Sequence, residues 1–296
     1  MAVDLGVEQP RRAAPRALHP PARLRRPFSA GVAWLARRHS LPVELGLVTI
    51  LYAAYDTSRG AAMSGVGAAV AHARDLYAIE RSLGVAIEPA VQRAALRVPG
   101  LTVVFGVSYM VLHLLATGAM LLWLHRTRAE AYVRMRLALL AASVLSLVGF
   151  VVWPTAPPRL AGLGIVGTLS QAGVAMNSPT LTVLYNPYAA FPSLHMAYAA
   201  LTGYALWRYA RRRWVRAAGV ALPAWVVVEV VATGNHFLLD VAAGLAVSAV
   251  GLVLAHAVVT ASRRTSRPRA TPHPSDPTPS RTTPGGRSDR TARDPV

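Results

Sequence analysis

Two short stretches of the chain concentrate side chains able to carry chemistry. One runs Asn186-Pro187-Tyr188-Ala189-Ala190-Phe191-Pro192-Ser193-Leu194-His195, the other Thr233-Gly234-Asn235-His236-Phe237-Leu238-Leu239-Asp240. His236 and Asp240 are four residues apart, so on a helix they share one face about one turn from each other. A carboxylate so placed accepts a hydrogen bond from one imidazole nitrogen, fixing the tautomer and freeing the other nitrogen to attack. His195 is a second imidazole able to donate a proton. Upstream, Pro154-Thr155-Ala156-Pro157-Pro158-Arg159 carries one guanidinium, whose planar fork suits bidentate binding of phosphate oxygens. Ser193, just after Pro192, reads as a helix N-cap with His195 in the first turn. Helix starts offer unpaired N–H groups and a positive dipole end, which together favour phosphate. The set is a nucleophile with its orienting acid, a proton donor and an anion clamp. Phosphate-ester chemistry needs these parts, and needs no metal where arginine and helix ends supply the positive field.

Each residue also has a blander reading. A histidine near the end of a membrane helix is often a packing residue, and Arg159 could anchor a lipid headgroup. Two other functional classes stay open. In one, His113, His195, His236 and Asp240 ligate a metal in a transporter or metalloenzyme. In the other, the protein is a non-catalytic lipid-binding or scaffold protein.

The elements that must position these residues are apolar. Of 296 residues, 53% are hydrophobic and 15% charged, and the mean hydropathy is +0.37. Such a chain is too apolar for a soluble nucleic-acid binder, although 31 basic residues, all arginine, against 13 acidic ones give a net charge of +18. With no cysteine there is no disulfide framework, zinc-thiolate site or cysteine nucleophile. Six apolar segments stand out: Leu41–Tyr55, Leu101–Leu124, Leu137–Val152, Ser193–Trp207, Val215–Thr233 and Leu238–Val259. The expectation is an all-α integral membrane protein of six transmembrane helices, the shorter segments reaching about 20 residues by borrowing polar flanks. Ala61–Gly100 interleaves Glu80, Glu88 and several arginines with Leu, Val and Ala, and reads as one or two amphipathic helices along the membrane surface between the first and second spans. Residues 1–40 form an Arg/Pro-rich N-terminal tail, 41–259 the membrane domain, and 260–296 a disordered C-terminal tail.

Arginine placement sets the expected orientation. Arginines crowd the N-terminal tail, the 126–136 connection, the Arg208–Arg216 connection and the C-terminal tail. The connection 153–192 holds Arg159 alone, and the turn before Leu238 holds none. The positive-inside rule then puts both termini in the cytoplasm and the chemistry-bearing connections outside, in a multi-pass cell-membrane protein. Trp153, Tyr185 and Tyr188 fit an interfacial aromatic belt or the rim of a lipid entrance. Glu229, inside the fifth segment, is expected to be buried and to pair with another span.

The segments Pro154–Arg159, Ala189–His195 and Gly234–Asp240 resemble the three signature motifs of the type-2 phosphatidic-acid phosphatase superfamily. More closely they resemble its branch containing the inositol phosphorylceramide synthases and their bacterial relatives, over roughly residues 40 to 260. Tyr109 and His113, four apart in the second segment, also look like that branch; from the residues alone they read as an interior hydrogen-bonding pair. The resemblance implies that His236 forms a phosphohistidine, that Asp240 orients it, and that His195 protonates the leaving oxygen and then activates water or an acceptor alcohol. It implies that Arg159 and Ser193, with nearby backbone N–H groups, hold the phosphate oxygens, with Asn235, Tyr109 and His113 behind them. The implied substrate is a membrane lipid carrying a phosphate or phosphodiester, with no cofactor, no metal and no nucleic acid; the oligomeric state stays open. Three positions depart from the family pattern. Val152 stands where a lysine is usual, Leu160 where a proline is usual, and Glu229-Val230 where a Ser-Arg pair is usual. Fewer cations compensate less phosphate charge, which points toward a diester-like or transferase substrate.

Overall fold

The structure, a computed structural model, describes residues 41–63, 65–169 and 186–265. The N-terminal tail, Tyr185 and the chain beyond Thr265 lie outside the described residues. Among the described residues eight α-helices follow in order: α1 (Leu41–Met63), α2 (Val66–Ser82), α3 (Glu88–Leu96), α4 (Leu101–Thr127), α5 (Ala129–Val152), α6 (Leu194–Tyr209), α7 (Arg213–Ala232) and α8 (Leu238–Thr265), with a 3-10 turn at Pro158–Leu160. No strand occurs among the described residues, only an isolated parallel bridge between Thr155 and Ala189.

All six apolar segments are helical, but four of the helices are both long and apolar enough to cross a bilayer: α4, α5, α7 and α8, the last over Leu238–Arg263. α1 has the length, at 23 residues, yet carries Glu44 and Asp56. α6 has only 16 residues. Its burial accounts for its composition. α6 packs against α4, α5, α7 and α8, so Thr202, Gly203 and Tyr209 face protein where an outer helix would show aliphatic side chains to lipid. The outer helices do show them, with Leu114, Leu115, Val144, Val148, Val253 and Leu254 exposed. Close helix contact is made by small residues. A Cβ on Gly203 would lie 2.3 Å from the Gly219 carbonyl oxygen, so α6 and α7 touch backbone to backbone.

One boundary differs from expectation. The arginine-rich stretch between the second and third segments is not a loop, for Arg128 alone separates α4 from α5. Arg134 and Arg136 lie inside α5, where the buried Arg136 pairs with Glu44 of α1 at 2.9 Å and Tyr132 donates to the same carboxylate at 2.9 Å. That partner is what makes a helical, buried arginine tolerable.

Within the region 61–100, α2 and α3 each bury one face against the rest of the protein. Ala69, Ala73 and Leu76 of α2 form the buried face, and Glu80 continues it. In α3 the buried face is Glu88, Gln92 and Ala95. Both faces press on the loops and helix ends that carry the chemistry-bearing residues.

Candidate active site

Backbone hydrogen bonds bring the three motif segments together. Thr155 N–H donates to the Tyr188 carbonyl at 2.9 Å and Ala190 N–H to the Thr155 carbonyl at 3.2 Å, tying the first segment to the second. Arg159 N–H donates to the Gly234 carbonyl at 3.1 Å, tying the first to the third. Ser193 N–H donates to the Asp240 carbonyl at 3.0 Å, tying the second to the third. Residues distant in sequence are thus fixed by main chain, which cannot change rotamer.

The turn from α7 into α8 carries His236. Gly234 adopts φ 70°, and a Cβ there would sit 2.8 Å from the Val166 carbonyl oxygen, so conformation and space both demand glycine. α8 begins at Leu238, which leaves His236 just ahead of the helix rather than on it, while Asp240 occupies the first turn. The pair still meets: His236 Nδ1 is 3.4 Å from Asp240 Oδ2. The nearer partner of Nδ1 is the Ala190 carbonyl, at 3.0 Å. Both partners only accept, so Nδ1 carries the proton and Nε2 is left with its lone pair. Asp240 Oδ2 also accepts from Phe237 N–H at 2.8 Å, the reach of a third-position acid back to the N-cap amide.

Opposite stands His195, in the first turn of α6, its ring centroid 5.7 Å from that of His236. Tyr109 stacks on it, centroids 4.1 Å apart and planes 16° from parallel, and His113 packs on it at 4.1 Å. Tyr109 and His113 therefore build a ring stack with His195 and do not simply bond one another. Arg159 Nη1 donates to Asn235 Oδ1, and Asn235 Nδ2 donates to Thr233 Oγ1 at 2.8 Å. Asn235 is thereby the bracket that aims the guanidinium. Arg159, His195, His236, Asn235, Tyr109 and His113 all line one cavity of about 580 Å³, whose wall continues over Tyr55, Leu147 and Phe150.

Ser193 and Asp240 are fully buried and stand behind the lining. Ser193 Oγ accepts from Met196 N–H at 3.3 Å, the N-cap its position foretold. Glu229 is buried and accepts from Ser108 Oγ of α4 and from Trp225 Nε1, the expected pairing between helices. Trp153 packs edge-on against Phe191, centroids 5.0 Å apart, and lies 5.1 Å from the ring of His72, so it braces the loop instead of standing free in a belt. Among the described residues no group of three or more His, Asp or Glu converges as metal ligands.

One expectation is corrected at α8. Its first amides do not await an anion. Leu238 N–H donates to Glu88 Oε1 at 3.0 Å and Leu239 N–H to Glu80 Oε1 at 2.7 Å. The sequence places these two glutamates in the amphipathic region 61–100 and names no partner for them. The spacing held a signal, since Glu80 falls on the stripe Ala69, Ala73, Leu76, and a charge on an apolar stripe must find a buried partner. Burial, and next its hydrogen bond with Glu88, push the Glu80 carboxyl up to about 8. Gln92 is the other residue missed: its Nε2 donates to the carbonyls of Val166 at 2.7 Å and Ala232 at 3.1 Å, and its Oε1 accepts from Val166 N–H at 2.9 Å.

A family model described as the PAP2 superfamily matches residues 74–254. The chain belongs to the PAP2 superfamily. The matched span of this PAP2 superfamily chain runs from α2 into α8 and contains every lining residue named above except Tyr55. No curated protein and no solved structure gives a significant match. Membership, together with four helices able to cross a bilayer, supports a membrane protein of phosphatase type acting on a lipid-phosphate class of substrate.

Proposed function

We propose that the protein is an integral membrane phosphatase or phosphotransferase that cleaves lipid-linked phosphate esters through a phosphohistidine. The observation that carries this reading is the pair His236 and His195 facing each other across one cavity, with Nδ1 of His236 occupied and its Nε2 free.

In the proposed reaction Nε2 of His236 attacks phosphorus in line, and Asp240 holds the imidazole and offsets the charge that develops on it. His195 protonates the departing oxygen; after exchange at the site it takes the proton from water or from an acceptor alcohol, which attacks the phosphohistidine and regenerates the imidazole. Arg159, aimed by Asn235, clamps the equatorial oxygens with the first-turn amides of α6, where Ser193 caps the helix. Tyr109 and His113 fix the plane of His195. Among the described residues Arg159 is the one arginine on the cavity lining, which suits a phosphodiester better than a dianionic monoester and agrees with the synthase-like branch.

The same proposal places six helices across the bilayer, α6 surrounded by the others and α1 outermost, with α2 and α3 along the extracytoplasmic surface. Both termini are then cytoplasmic and the cavity opens toward the outer leaflet. The deciding experiment is a phosphate-release and headgroup-exchange assay on a panel of lipid phosphates, with wild type beside His236→Ala. Wild type should turn over at least one lipid, vanadate should inhibit and chelators should not. Full activity of His236→Ala would end the assignment.

A further inference from the structure

Three carboxyl groups meet behind His236: Glu80 near the end of α2, Glu88 at the start of α3 and Asp240 in the first turn of α8. All three are wholly buried. Each takes one of three successive amides at the α8 start, Asp240 that of Phe237, Glu88 that of Leu238 and Glu80 that of Leu239. Apart from the contact between the two glutamates, Glu80 Oε2, Glu88 Oε2 and Asp240 Oδ1 have no hydrogen-bond partner among the described residues. Capping alone does not account for this. Asparagine, serine or glutamine would satisfy the same amides without the cost of burying carboxyl groups of like charge.

The electrostatics explain what capping does not. An uncapped α8 start would present a positive end to Asp240 and draw its charge away from His236. With the next two amides occupied by Glu88 and Glu80, that field is spent, and the charge of Asp240 acts on the imidazole. The other groups nearby do not compensate: Arg74 of α2 turns its Nε to the Ala161 carbonyl at 3.1 Å, and Tyr77 lies against Phe237, ring centroids 6.2 Å apart.

We propose that Glu80 and Glu88 are positioning residues for phosphoryl transfer, a carboxyl–carboxylate pair sharing one proton that seats the start of α8 and keeps Asp240 directed at His236. This rests on His236 being the nucleophile. The burial that drives Glu80 up to about 8 agrees with its holding the shared proton. A carboxyl whose folded pKa lies above its unfolded one stabilises the fold in acid, and that stabilisation is lost as pH rises through the folded value.

The test uses the full chain in lipid nanodiscs and the variants Glu88→Gln, Glu80→Gln and His236→Ala. Glutamine keeps an oxygen for the amide and removes the charge. Glu88→Gln should lower kcat about tenfold, leave KM within about twofold and move the acidic limb of the rate profile to lower pH, because less negative charge supports the imidazolium. A merely structural role would leave that limb in place. Wild type should lose melting temperature as pH rises from about 5 to about 8, between the unfolded and folded values of Glu80, and Glu80→Gln should lose less. An inactive His236→Ala beside a Glu88→Gln with wild-type kcat and pH profile would overturn the positioning role while leaving the assigned reaction intact. An active His236→Ala would instead remove the reaction on which it rests. If Glu88→Gln does not fold, the melting profiles decide: a wild-type profile that is flat between about pH 5 and 8, or one unaltered by Glu80→Gln, overturns the shared proton.

Discussion

The helices α6 and α8 both begin beside the cavity, and their beginnings are built differently. At α6 the cap is one neutral hydroxyl, Ser193 Oγ on the Met196 amide, and Leu194 and His195 come directly onto the cavity lining. At α8 three successive amides are claimed by buried carboxyl groups from three helices. Both starts meet the sequence criteria for an anion seat, and one of them has already been filled by the protein itself. A helix N-terminus binds phosphate only where no side chain reaches its amides first. Under the proposed reaction the division also separates roles: α6 would face the phosphate oxygens with an open end, and α8 would hold His236 with a closed one.

The comparison can be broken most decisively at His236. His236→Ala should lower turnover by about a thousandfold or more with the melting temperature nearly unchanged, measured on whichever lipid wild type accepts. Arg159→Lys tests the open end. It keeps the charge and loses the fork, so kcat/KM should fall about ten- to a hundredfold and vanadate should inhibit less. Gly234→Ala strikes the closed end through its backbone. Strain at φ 70° and the contact with Val166 should cost about 1–3 kcal/mol, read as a lower melting temperature with activity lost in parallel. The two caps then differ in size. Glu88→Ala orphans a buried amide and should cost about 1–3 kcal/mol, whereas Ser193→Ala should cost about 1 kcal/mol. Equal effects at the two caps would erase the distinction.

The segments that meet at the cavity are legible in the sequence because each depends on local order. His236, His195 and Arg159 lie in short segments where residue type, spacing and a following helix can be read together, and Ser193 announces a helix start by position alone. The six helical segments were equally visible as apolar runs. What escaped the sequence depends on partners brought from far along the chain. Arg136 looked like a loop residue until Glu44, 92 positions away, made its burial tolerable. The partners of Glu80 and Glu88 are not legible in the sequence because the amides of Leu239 and Leu238 lie 159 and 150 positions away. α6 falls short of a crossing by its length of 16 residues, and its packing against α4, α5, α7 and α8 could not be read from its own segment.

Gln92 joins parts of the molecule that no sequence motif links. One amide group spans the loop that follows Arg159 and the end of the helix that precedes His236, gripping Val166 from both sides and Ala232 from one. The spacing between the segments that carry Arg159 and His236 is therefore held by a single short side chain on α3. Lengthening or removing that spacer would detune the gap, and an oxyanion of fixed size such as vanadate would register the change before a flexible lipid did.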